Sequence, residues 1–259
     1  MEIIVLASGS KGNATYIKSK ETTLLIDAGI SFRQINLRLE ERKHNLEGLN
    51  AVFLTHEHSD HTRGLNQTIK RTGVPVYTGK KTYKSIRDIL PLAHDHIPLE
   101  ADRPFMFADL IITPIKTSHD AVESYGFIIQ EGDKRLVYIT DTGYLEETAF
   151  PKIKNAEIYI IEANYDVGLL FDSNRPYYLK KRIDSVKGHL SNDDAAYYLT
   201  RLVGDKTRTI ILAHPSQECN TAACAMTTLD TVFKAYEKSL DPYDIVVASQ
   251  HTPTKLIHL

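Results

Sequence analysis

The sequence predicts an α/β fold in which two mixed β-sheets pack face to face between outer layers of helices. Three observations carry that reading. Short apolar runs with strand composition recur along the whole chain, helical patterns are interspersed among them, and histidines or acids close several of the runs.

In order, the strands read as "EIIVLAS", "NATYIKS", "TTLLIDAG", "LNAVFLTH", "DLIITPIKTSH", "YGFIIQ", "RLVYITDTG", "AEIYIIEAN", "RTIILAH" and "DIVVAS". They are rich in β-branched and aromatic residues and separated by turn-forming residues. The clearest helices are "SFRQINLRLEERK", the segment after His61, "LSNDDAAYYLTRLVG" and "TAACAMTTLDTVFKAYEKS". In the third, Ser191 is read as the N-cap and Gly204 as the C-terminal stop. An α/β chain of 259 residues often forms one domain, and no Pro/Gly/Ser-rich linker, low-complexity tract or solenoid repeat divides it. Residues 1–259 are therefore read as a single domain.

Composition excludes several classes of protein. "MEIIVLASGS" lacks the basic flank of a secretory signal, and no apolar run approaches membrane-spanning length, so a cytoplasmic location is expected. The two cysteines, Cys219 and Cys224, are too few for a zinc ribbon and are read as free thiols. A net charge of -2 gives no global attraction to nucleic acid. Any such binding must come from a local patch.

The stretch "LTHEHSDHTRGL" (54–65) puts three histidines and two acids into six positions directly behind an apolar strand. Imidazoles and carboxylates this dense are costly to desolvate unless a cation pairs with them. Reading Leu49 to Thr55 as a buried strand sets His56 and His58 to the same side, able to grip one ion, while Asp60 and His61 enter a helix and swing toward a second position. Further along, His119 closes "LIITPIKTSH", Asp141 closes "LVYITD" and His214 closes "TIILAH". Strand ends of this kind gather functional residues at one rim. Seven groups emerge: His56, His58 and His119 for one metal, Asp60, His61 and His214 for another, and Asp141 between them.

With Asp27 in "LLIDAG", the "HEHSDH" run and then His119, Asp141 and His214 in that order, the chain resembles the metallo-β-lactamase superfamily over essentially its whole length. The resemblance implies an αββα sandwich, a hydrolase with a dinuclear metal site, and Asp27 as a residue that supports the ligands without binding metal. "LASGSKGNATYI", "TDTG", "IEANYD", "YYLKKRI", "GHLSN" and "LAHPS" together resemble the YycJ/WalJ group of bacterial proteins, which implies DNA exonuclease activity. At "HPSQECN", which contains Pro215 and Cys219, the chain departs from that group's pattern.

Two divalent ions about 3.5 to 4 Å apart lower the pKa of a shared water and clamp the attacking and departing oxygens of a phosphodiester. An imidazole and carboxylate set suits Zn²⁺, Mn²⁺ or Fe²⁺ without choosing among them. His189 in "GHLSN" occupies a place where related ribonucleases carry a histidine assigned to proton transfer. By that resemblance it is the candidate acid, with Glu162 to orient it, and Asp60 is counted with both the catalytic and the metal residues.

Two stretches offer contacts to a DNA substrate. Ser8, Lys11 and Asn13 in "SGSKGN" present backbone donors and a cation to a phosphate. "RPYYLKKRIDSVK" holds five basic residues against one acid, a local balance of +5 − 1 = +4, in which Lys180 and Arg182 are candidate phosphate contacts and Tyr177 and Tyr178 candidate stacking platforms.

Only 21 residues (120–140) separate His119 from Asp141, too few for a tRNA-gripping arm, and the 72 residues from 142 to 213 leave no room for a large inserted nuclease domain. His58 speaks against the diiron oxidases of the same fold. The residues therefore predict a dinuclear-metal phosphodiesterase with a metal-bridging hydroxide as nucleophile, and the resemblance implies that it is an exonuclease acting on DNA. The alternatives are a hydrolase of small esters, thioesters, lactones or phosphodiester metabolites, and a non-catalytic metal-binding scaffold.

Overall fold

The computed structural model describes residues 1–259, and its chain runs twice through one pattern of pairing. The first half comprises β1 (Glu2–Ala7), β2 (Ala14–Lys18), β3 (Thr23–Ile26), α1 (Phe32–Glu40), β4 (Leu49–Phe53), α2 (Ser59–Thr62), α3 (Leu65–Thr72), β5 (Val76–Gly79), α4 (Lys80–Ile86) and β6 (His96–Leu99). The second comprises β7 (Phe105–Phe107), β8 (Leu110–Lys116), β9 (Tyr125–Glu131), β10 (Lys134–Ile139), α5 (Phe150–Ile153), β11 (Ile158–Glu162), α6 (Val167–Asp172), α7 (Tyr177–Ile183), α8 (Asn192–Leu202), β12 (Thr209–Ala213), α9 (Ala222–Ala235) and β13 (Asp244–Val247). The chain then returns to the first sheet as β14 (Ile257–His258).

Each sheet has seven strands, in the orders β14-β1-β2-β3-β4-β5-β6 and β13-β12-β11-β10-β9-β8-β7. In both, three antiparallel joins are followed by three parallel ones. Most of the histidines and acids follow strands with a parallel partner, and His119, which follows the antiparallel β8, is the exception.

Alternation along each strand divides the core. Ile3 and Val5 of β1 enter the cluster between the sheets, and Ile4 and Leu6 enter the cluster under α1 and α3. Likewise Ile158 and Ile160 of β11 face the other sheet, while Tyr159 and Ile161 face α8 and α9. Strands buried on both faces read as continuous apolar runs, which is why the sequence marks them so clearly. The layers are helix, sheet, sheet, helix, the αββα sandwich expected.

Three local expectations change. The short strands β5, β6, β7 and β14 carry weak signals: β6 contains Pro98, and β6, β7 and β14 lie at or near sheet edges. Ser191 does cap α8, accepting from the Asp194 N–H, but Gly204 does not stop it. Extended backbone at Val203 ends the helix, and Gly204 instead makes room for Asn155, whose Oδ1 would lie 2.5 Å from a Cβ. Finally, β4 ends at Phe53, because the Thr55 N–H is captured by the Asp27 carboxylate at 2.8 Å, so His56 and His58 project from a loop.

Candidate metal centre

The loop after β4 brings four ligand-type residues together. His56 is fully buried, His58 begins α2, and Asp60 and His61 lie within that single turn. Gly29 permits the turn: its N–H donates to the Asn13 carbonyl, and a Cβ there would stand 1.6 Å from the Asp60 carbonyl oxygen. The second half supplies His119 from the loop leaving β8, Asp141 just beyond β10, Glu162 at the end of β11 and His214 directly after β12. Three strand-end residues, Asp27, Asp141 and His214, have φ of 61°, 56° and 55°. This left-handed backbone costs roughly 1–2 kcal/mol per residue. It turns each side chain out of the strand and toward the common rim.

The donor atoms converge. His56, His58 and His119 place one nitrogen each within 4.8 Å of one another, as do the donor atoms of Asp60, His61 and His214 and those of His56, His61 and Asp141. Three rings are oriented from behind. His61 Nδ1 donates to Asp27 Oδ2 at 2.7 Å, His119 Nδ1 to the Gly188 carbonyl at 3.0 Å, and His214 Nδ1 lies 3.2 Å from Glu162 Oε1. With Nδ1 engaged, Nε2 presents its lone pair to the pocket. His58 uses its other face, with Nδ1 3.3 Å from His119 Nε2.

These residues fit divalent cations. His56 Nε2, His214 Nε2 and Asp141 Oδ2 are buried without a hydrogen-bond partner. Each such atom costs about 1–3 kcal/mol unless something satisfies it, and divalent cations at the two donor sets would satisfy all three. Electrostatics agree. Burial opposes charge on His61, yet the Asp27 and Asp141 carboxylates push it well above the usual imidazole range, and Asp141, with Asp60 and Glu162, lifts His214 against burial to about 10. His56 goes the other way, held well below that range by burial and by His61. Despite burial, His214 and His61 hold both Asp141 and Asp60 ionised far below the usual carboxylate range. A field that holds protons on buried imidazoles favours a divalent cation in their place.

Asp27 is not a candidate ligand here. It is fully buried, and both its oxygens are engaged by Thr55 and His61.

His189 stands beside this cluster at the pocket wall and donates from Nδ1 to Glu162 Oε1 at 2.7 Å. Glu162 is wholly buried and also accepts the N–H groups of Thr142 and Leu190. Burial would raise its pKa, but His189 and His214 lower it. Glu162 is therefore closed off from the pocket and pairs with two imidazoles from beneath.

The substrate contacts expected from sequence need correction. Ser8 and Asn13 face inward. Ser8 Oγ accepts the His214 N–H at 2.7 Å, while Asn13 bonds to Gly9 and lies 3.1 Å from His61 Nε2. Both residues position the ligand loops. Lys11 is exposed but does not line the pocket, and its N–H donates to Gln250. Most donors of the "SGSKGN" turn are thus already spent, and only Ser10 of this turn reaches the pocket.

Lys180 is also misplaced as a phosphate contact. It is buried and its Nζ donates to the Phe171 carbonyl, because its position on α7 faces the protein. Arg182 does line the pocket, paired with Asp120. The local balance of +4 counted only Asp184. Folding adds Asp120 opposite Arg182 and Glu218 opposite Arg175. Sequence reading missed Asp120, although it follows His119 directly in "TSHD", and Asn164 of "IEANYD", which bonds His214 at 2.8 Å.

Cys219 is buried beside Tyr165, Leu170 and Ile183, and its N–H donates to Ser216 Oγ. It packs the loop that follows His214.

Comparison with known proteins agrees with this geometry. Residues 22–214 match the family described as the Beta-lactamase superfamily domain. The chain is 37% identical over 230 residues to the exodeoxyribonuclease WalJ of Streptococcus pneumoniae, covering 87% of this chain and 85% of that one. It is 32% identical over 263 residues to the exodeoxyribonuclease YycJ of Bacillus anthracis, covering 97% of each. Among solved structures, the metallo-β-lactamase fold protein YhfI from Bacillus subtilis superimposes with a TM-score of 0.74 over 98% of both chains at 20% identity, a likeness of fold.

Proposed function

This chain belongs to the metallo-β-lactamase superfamily, and we propose that it is a metal-dependent exodeoxyribonuclease. The observation that carries the reading is the convergence of seven histidine and aspartate donors, drawn from both sheets, into overlapping sets at one centre on a chain that resembles two exodeoxyribonucleases over most of its length. That joint contribution also supports taking residues 1–259 as one functional unit.

We assign His56, His58 and His119 to one divalent ion and Asp60, His61 and His214 to a second, with Asp141 shared. Zn²⁺ or Mn²⁺ suits this set, and Fe²⁺ shares its preferences. Such ions, when bound, acidify water and neutralise the oxygens of a phosphodiester. The protein's own groups supply the rest. Glu162 fixes the His189 ring through Nδ1, which leaves Nε2 as the free nitrogen at the pocket wall. In the ring's imidazolium form that nitrogen carries the second proton, which it gives to the departing oxygen of the cleaved strand. Asp27, Ser8 and Asn13 hold the ligands in place from beneath.

The pocket is lined almost wholly by polar and charged groups, with Leu179 and Ile183 its only apolar contributors. That wall has little to offer the apolar tail of a thioester or lactone. No helix is long and apolar enough to cross a membrane.

The test supplies Mn²⁺ or Zn²⁺ and compares labelled duplex DNA with chromogenic phosphodiester, thioester and lactone substrates. We expect stepwise shortening of DNA from an end, abolished by EDTA. Intact DNA alongside rapid thioester or lactone hydrolysis would overturn the assignment in favour of a small-ester hydrolase.

A further inference from the structure

We propose that α7, with the residue pair leading into it, is a strand-binding wall: Arg175 and Arg182 take phosphates flanking the scissile one, and Tyr178 stacks on the next base of an unpaired DNA strand. This rests on the nuclease reading above and specifies the form of its substrate.

Position along the helix carries the inference. Leu179, Arg182 and Ile183, at i, i+3 and i+4, form one face of α7 and line the same pocket as His58, His119 and Asp141. Arg175, just before the helix, lines it too. Tyr178 is four residues before Arg182, hence its neighbour on the helix surface, and is 74% exposed. An aromatic ring this open, one helical turn before an arginine that lines the pocket, is free to meet a base. Base stacking on such rings tolerates any sequence. Tyr177 points elsewhere, under Lys181, whose ammonium also lies over Phe171.

The arginines are held ready but not used up. Arg175 donates from Nε to Glu218 at 2.9 Å, which leaves both Nη groups without a partner, and Arg182 meets Asp120 through Nε and Nη2, which leaves Nη1. The two carboxylates keep the side chains extended over the pocket and neutralise the wall while no strand is present. An arriving phosphate competes with them for the same forked donors. The cavity measures about 210 Å³ and opens to solvent, a space too small to hold a double helix within it. A strand unpaired at a duplex end is the form that this wall can lead to the centre.

The experiment measures binding of the metal-loaded protein to a fluorescein-labelled, cleavage-resistant phosphorothioate oligothymidylate, with thermal midpoint and metal content as checks on folding. Arg175→Gln and Tyr178→Ala should each weaken binding about tenfold. Arg175→Gln should also flatten the log-log salt slope by about 0.7. Glu218→Gln, which frees Arg175 and sits on the surface, should tighten binding severalfold. Unchanged affinity in all three variants overturns the proposal. So does Glu218→Gln weakening as much as Arg175→Gln, since the pair would then be a structural brace. Native oligothymidylate run in parallel separates the two readings. The expected variant pattern without any hydrolysis sinks the nuclease and keeps the wall, whereas hydrolysis with variant-independent binding sinks the wall and keeps the nuclease.

Discussion

The floor of the pocket and its α7 wall both depend on opposed charges, but they use them differently. On the floor, Asp27 with His61 and Glu162 with His189 and His214 form pairs in which every carboxylate is fully buried. On the wall, Arg175 with Glu218 and Arg182 with Asp120 reach solvent, with Glu218 68% and Arg182 60% exposed. A buried pair interacts in a low dielectric and breaking it strands a charge, while an exposed pair contributes about 0–1 kcal/mol and exchanges readily. The lesson is a division of labour. The floor is locked because reaction geometry must not drift, and the wall is loose because each nucleotide has to arrive and leave.

The largest loss is expected at Asp141, the carboxylate facing both donor sets. Asp141→Ala should cut turnover by at least about 10³-fold and lower bound metal per chain, read by elemental analysis. A full metal complement with normal turnover would show that the floor does not depend on it. A smaller effect is expected at His189, which lies between floor and wall. His189→Ala should retain metal and lose about 10²- to 10⁴-fold in rate. Because His189 Nδ1 is also only 3.8 Å from Asp141, loss of metal in that variant would reassign it to the ligands. The smallest effect tests the wall's hidden side. Lys180→Ala should leave DNA affinity unchanged and cost about 1 kcal/mol of stability in denaturant titration, the value of its bond to the Phe171 carbonyl. Weaker DNA binding with unchanged stability would return Lys180 to the phosphate track.

Legibility follows the same division. The "HEHSDH" run could be read as a metal motif because its residues are adjacent and their cost in burial has no cheap alternative. His119, Asp141 and His214 became readable only as a set, each at the end of an apolar run. The wall shows in the sequence only as charge. Its balance depends on Asp120 and Glu218, which are 62 and 43 residues distant from their arginines. Ser8 and Asn13 looked like phosphate contacts for a related reason, since a polar turn gives no sign of whether its donors face water or a neighbouring loop.

What the sequence by itself determined is the layer architecture, through apolar runs that alternate between two buried faces, and the identity of the candidate metal donors, through their chemistry and their places at strand ends. Tertiary structure alone brought those donors within reach of one another, because parallel pairing of β10, β11 and β12 aligns strand ends far apart in the chain. It alone decided that Asp27, Asp141 and His214 would take left-handed backbone, a local cost met only by surrounding contacts. And it alone settled which face of α7 meets the pocket. A helix exposes Arg182 and buries Lys180 two positions earlier because successive residues are rotated by 100°, and only the surface it packs against says where that rotation begins.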